Sequence, residues 1–162
     1  MKADAALEHA RRLFRQGEVH DALEAAQAAC ELRPHSSEAW WLLARITRHT
    51  GLPGASDDAF RRAAALSKRR PLPHRVSPAH LERLVARAAA GGSPDARRRL
   101  GDRVIEVQPL PSPEEIRAGT SPDAVSAQGG PGKLVLYQVN LENRSGSEAA
   151  LENLIGRTLS RA

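Results

Sequence analysis

The stretch from Ala10 to Ala63 carries one pattern twice, with its second copy 34 residues after the first. Ala10 recurs as Ala44, Gly17 as Gly51 and Ala29 as Ala63, while Ala26 is answered by Phe60. A fixed period of roughly 20 to 50 residues signals stacked supersecondary units, and roughly 34 residues is the length of one helix-turn-helix unit. Each copy reads as two amphipathic helices. Ala6, Ala10, Leu13 and Phe14 fall on one helical face. Gly17 permits the turn, and a second helix from about Val19 presents Ala22, Leu23, Ala26, Ala29 and Cys30. Pro34 ends it, since proline restricts the residue before it and lacks an N–H.

Ser36 and Ser37 can cap a third helix, whose inner face reads Trp40, Leu43, Ala44 and Thr47. A fourth runs from about Ala55 to Lys68 with Ala59, Phe60, Ala63 and Ala64 inside. Small residues recur at 10, 22, 29, 44 and 63 because closely packed helices need them where backbones approach.

These positions resemble the tetratricopeptide repeat over residues 3 to 68. The first copy matches in Ala10, Gly17, Ala22, Ala29 and Pro34, and the second in Trp40, Leu43, Ala44, Gly51, Phe60 and Ala63. Ser56 stands where the family has alanine, and Lys68 where it has its closing proline. The resemblance implies an α-α superhelix of two hairpins that binds protein, with the first helix of each pair lining a concave face. Carried onto this sequence, that face holds Leu7, Arg11, Phe14 and Arg15, then Trp41, Arg45, Arg48 and His49. Spacings of three, four and seven put each set on one side of its helix. Guanidinium groups bind carboxylates bidentately and tryptophan is a frequent hot spot, so the expected partner is an acidic peptide or protein.

Pro71, Pro73 and Pro78 mark a linker over 71–77, between a repeat domain at 1–70 and a second domain at 78–162. Ser77 can cap a helix with Pro78 in its first turn and Leu81, Leu84, Val85 and Ala88 on its apolar face, ending at Gly91-Gly92. Two repeats fall short of the three or so that a stacked array needs, and this helix is the obvious cover for the fourth one. Residues 103–108 alternate as a half-buried strand. Residues 109–132, rich in Pro, Gly and Ser, read as loop with one helical turn at Glu114 to Arg117. Lys133 to Val139 reads as a second strand, and Ser147 opens a last helix with Leu151, Leu154, Ile155, Thr158 and Leu159 inside. The fold class is therefore α-rich α+β: a helical-repeat superhelix, then a small domain with a short sheet.

The order of these elements, with Leu134-Val135-Leu136-Tyr137-Gln138-Val139-Asn140-Leu141 and the Leu151 to Leu159 helix, resembles the minimal zincins, small bacterial metallopeptidase-like proteins. In that family a His-Glu-x-x-His motif follows the Thr-Leu pair. Here Thr158-Leu159 is followed by Ser160, Arg161 and Ala162. Zinc hydrolysis needs two imidazoles one turn apart and a carboxylate base. Arginine and alanine at those positions supply neither. The resemblance thus implies a degenerate domain, incomplete at its last helix, with no catalytic residues, metal or cofactor. None of His9, His20, His35, His49, His74 and His80 pairs with another at a spacing of three or four.

The formal net charge is +5, from 24 Lys and Arg against 19 Asp and Glu, and it is spread over both halves. Lys68-Arg69-Arg70 and Arg97-Arg98-Arg99 are short runs without interleaved aromatics, which disfavours nucleic acid. The single cysteine, Cys30, excludes an internal disulfide framework. No apolar run follows Met1 and no stretch approaches the roughly 20 apolar residues of a membrane span, so the expected location is cytoplasmic. The function expected is that of a non-catalytic interaction module. The remnant of a zinc metallopeptidase and a basic nucleic-acid binder remain as alternatives.

Overall fold

The computed structural model describes residues 2–162, and the chain divides into two compact units. The first is Met1–Leu72 together with Ser112–Pro122, and the second is Pro73–Pro111 together with Asp123–Ala162.

The first unit begins with four helices: α1 (Ala3–Arg15), α2 (Val19–Leu32), α3 (Ser37–His49) and α4 (Pro53–Leu66). Each packs on its neighbour in sequence. Gly17 and Gly51, at equivalent places in the two copies, turn the chain with φ of 80° and 77°. Ser36 caps α3 by accepting from the Ala39 N–H at 3.1 Å, while the Ser37 hydroxyl donates to the Ala63 carbonyl at 3.0 Å. Pro53 occupies the first turn of α4, where a missing N–H costs nothing.

The α1–α2–α3 core holds Ala6, Ala10, Phe14, Ala22, Ala26, Ala29 and Cys30, with Leu42 and Ile46 from α3. Leu42 and Ile46 are fully buried, whereas Trp40 and Leu43 are only partly so. The third helix lies between α2 and α4 and buries two faces, while a repeat pattern reads out only one. Ser56 is also fully buried, and its hydroxyl donates to the Ala44 carbonyl at 2.6 Å. The serine that departs from the repeat pattern thus bridges α4 to α3 with its polar group satisfied.

The remaining piece of this unit is α7 (Pro113–Arg117) and the residues after it. A reciprocal capping box starts the helix: Glu115 N–H bonds Ser112 Oγ at 3.1 Å and Ser112 N–H bonds the Glu115 carboxylate at 3.4 Å.

The second unit holds α5 (Pro78–Ala90), α6 (Pro94–Leu100), β1 (Val104–Gln108), β2 (Ser126–Gln128), β3 (Lys133–Tyr137), α8 (Gln138–Asn143) and α9 (Glu148–Ser160). The strand order is β1-β3-β2, with β1 parallel to β3 and β2 antiparallel to it. Val104 pairs with Lys133 and Gln108 with Tyr137. Leu81 and Leu84 of α5 meet Leu134, Leu136, Leu151, Ile155 and Leu159 in one core. The apolar face of α5 is thus covered by α9 and the sheet of its own unit.

Residues 73–76 are built into this unit. The His74 N–H bonds the Ser145 carbonyl at 2.8 Å, and the Val76 N–H bonds the Glu142 carboxylate at 2.9 Å.

One element is new, and two other readings change. Residues 94–100 form a helix, capped by Ser93 through the Ala96 N–H. Ser126–Gln128 is a strand inside the expected loop. The strand expected over 133–139 stops at Tyr137, and Gln138 starts α8. All six residues of α8 are buried, polar ones included. Gln138 donates to the Val76 carbonyl at 3.0 Å and to Glu142 at 3.1 Å, and Asn140 donates to the Ala124 carbonyl at 2.8 Å. Their side chains find partners only by pointing several ways around a helix, which the two faces of a strand do not allow.

A candidate partner-binding face on the helical repeat

The eight residues expected to line a groove do not all reach one. Leu7 and Phe14 lie inside the α1–α2–α3 core, buried by α2 and α3. Phe14 nevertheless sets the geometry of the face, because its ring meets His49 edge-on at 5.2 Å and 78°, joining the ends of α1 and α3. Such edge-to-face contacts match the ring's negative face to the neighbour's positive edge.

Trp41 is half-buried and belongs to the α3–α4 side. It packs edge-on to Phe60 at 5.1 Å, and the Arg70 guanidinium lies over its ring at 5.3 Å. Trp40 has its own cation above it, Arg62 at 4.6 Å, and its indole N–H donates to the Pro34 carbonyl at 2.8 Å.

Arg11, Arg15 and Arg48 pair with carboxylates of their own and neighbouring helices. Arg11 lies 3.4 Å from Glu8 and is also paired with Glu38. Arg15 lies 3.6 Å from Glu8, and Arg48 lies 4.0 Å from Asp57. Arg11, Arg45 and Arg48 are half-buried, and Arg15 is exposed. The Glu8 and Arg15 side chains are more than half exposed, so their pairing contributes little stability and exchanges readily with other partners.

Sequence reasoning does not reach the other wall of this face, which comes from Ser112–Pro122. Ile116 is buried, and a Cβ added at Gly17 would stand 2.9 Å from its Cγ2. Pro122 is fully buried, and its carbonyl lies 3.1 Å from His49 Nε2. A carbonyl only accepts, so the proton sits on Nε2 in this bond. The ends of α1 and α3 therefore hold a segment of the chain's own backbone through Gly17, Phe14 and His49. The signal in the sequence for this piece is the Ser112-x-x-Glu115 capping box, which marks a helix start but not where the helix docks.

Cys30 is buried in the core, where loss of solvation pushes its thiol up to about 11, partly offset by the Arg62 charge. Among the described residues, no group of three or more His, Cys, Asp or Glu is gathered as a metal would need. Nor is any helix among them long and apolar enough to cross a membrane.

A family model described as Tetratricopeptide repeat matches residues 3–46, which take in α1, α2 and most of α3. Repeats of this kind bind proteins or peptides and are typically non-enzymatic. No curated protein and no solved structure matches the chain. The likeness of residues 78–162 to the minimal zincins therefore has no support beyond the sequence motifs themselves.

Proposed function

We propose that the helical-repeat unit is an interaction module whose α1–α3 face takes an acidic polypeptide segment. The observation that carries this reading is the seat of Ser112–Pro122. That segment holds Glu114 and Glu115 against the single Arg117, and it is packed on the repeat through Ile116 and Pro122. The chain's own segment is thus a precedent for the chemistry. An apolar side chain meets the Gly17 turn and a backbone carbonyl meets His49. Arg11, Arg15, Arg45 and Arg48 supply the charge, and Trp41 supplies an aromatic edge. Exchange of partners is inexpensive here, because exposed ion pairs are worth only about 0–1 kcal/mol each.

The test is a labelled peptide with the sequence of residues 112–123, followed by fluorescence polarisation. It is added to a chain carrying Ile116→Asp and Pro122→Gly, which loosen the internal segment. Saturable binding that weakens with salt, and is lost when Arg11→Glu and Arg45→Glu are added, supports the reading. Binding that ignores the charge reversal, with helicity intact by circular dichroism, overturns it.

A further inference from the structure

A second candidate site lies wholly within the other unit and does not depend on the reading above. A cavity of about 520 Å³ opens between α5, α6 and the C-terminal half of α9. Cavities of roughly 300–1,000 Å³ suit small organic ligands. Its floor is apolar, formed by Leu84, Leu100 and Leu159, all buried. Its mouth is cationic, with Arg97 from α6 and Arg157 and Arg161 from the end of α9. The one carboxylate at the rim, Glu152, is already paired with Arg87 at 2.7 Å. Among the described residues no carboxylate lies within ion-pair distance of Arg97, Arg157 or Arg161. Cations at the end of α9 complement the helix dipole. That accounts for Arg157 and Arg161, but not for Arg97, which lines the same cavity from another element.

Gly156 adds to the space of this cavity. It lies in the interior of α9 and lines the cavity. Glycine there weakens the helix relative to alanine. A Cβ at this position would meet nothing within 4 Å, so no neighbour demands the glycine. What the missing side chain leaves is space beside the arginines.

We propose that this cavity binds an organic anion with an apolar stem, of the class of medium-chain or aryl carboxylates. The stem rests on the three leucines beside Gly156. The carboxylate is held at the mouth by guanidinium forks, whose geometry matches it bidentately.

The probe is sodium octanoate, titrated into the full chain and followed by amide chemical shifts. Expected are saturable shifts confined to α5, α6 and α9, with Kd below about 1 mM. 1-Octanol and inorganic phosphate should each bind at least about 10-fold more weakly, since one lacks the charge and the other the stem. Arg157→Gln with Arg161→Gln should weaken octanoate about 10-fold and leave octanol unchanged. Gly156→Leu should abolish octanoate binding, with melting checked by circular dichroism. Where that variant fails to fold, the arginine pair decides. Shifts that never saturate or are scattered over the chain overturn the proposal. So does phosphate or octanol matching octanoate, or indifference to the arginine substitutions.

Discussion

Gly17 and Gly51 occupy the same place in two copies of one motif and share a left-handed backbone, yet their surroundings differ. Alanine in that conformation costs about 1–2 kcal/mol from its own Cβ. At Gly51 nothing lies within 4 Å, so Gly51→Ala should cost about that and no more. At Gly17 the Cβ also meets Ile116, so Gly17→Ala should cost about 1 kcal/mol beyond it. Chemical denaturation of both variants, repeated in an Ile116→Ala background, isolates the excess: it should vanish there. Cys30 gives a second expectation at this scale. The thiolate is the reactive form, and burial holds the folded thiol near 11, above its ordinary 9.0. Ellman's reagent at about pH 8 should be inert toward the native chain and titrate one thiol after denaturation. The raised value also fixes a sign. Its contribution to stability is complete below the unfolded thiol's range and is lost as pH rises toward 11, so Cys30→Ala should flatten the alkaline limb of the stability curve.

Among the elements, α8 is the one whose sequence misleads. The strand at 104–108 and helices α5 and α9 stand where alternation and capping signals put them, and β3 starts at the expected Lys133 but ends two residues early. Gln138-Val139-Asn140-Leu141 follows the continuous apolar run of β3 with alternating polar and apolar residues, so pattern alone carries the strand onward. What ends it is a set of tertiary partners that no local pattern encodes: the Pro109 carbonyl for the Val139 N–H, the Ala124 carbonyl for Asn140, and Val76 for Gln138. The helix α6 was masked differently. Ser93-Pro94 is a proper start signal, but three consecutive arginines hide the short apolar face of Ala96 and Leu100. Of the candidate face, the arginines of α1 and α3 are proposed from the repeat resemblance, while Ile116 and Pro122 have no signal in the sequence because they come from a distant loop. Glu142 is the keystone of α8, nearly fully buried and bonded to Val76, Gln138 and, at 3.3 Å, to Arg75. Glu142→Ala leaves those buried donors without their acceptor and should cost about 3–5 kcal/mol in urea denaturation. Glu142→Gln, which keeps one acceptor oxygen, should cost less.

For the molecule as a whole, a single cut at the prolines near residue 71 does not separate the two units. The repeat unit includes Ser112–Pro122, and a chain of residues 1–72 lacks the cover that Ile116 and Pro122 provide. Residues 1–72 alone should therefore melt broadly. The same residues joined through a flexible Gly-Ser linker to 112–122 should melt more sharply and at least about 5 °C higher by circular dichroism. Equal melting of the two would show that the segment adds no stability. The same path has a consequence for how the protein is made. Synthesis runs from the N-terminus, so α1 to α4 emerge first, but the piece that completes their unit follows α5, α6 and β1. The second unit, in turn, pairs β1 with β3 only after that piece has gone by. Neither unit can be finished before the other is under way, and the apolar seat of Ile116 stands open on the nascent chain until then. Domains usually fold one after another as they leave the ribosome; here the first to appear must wait for the middle of the second.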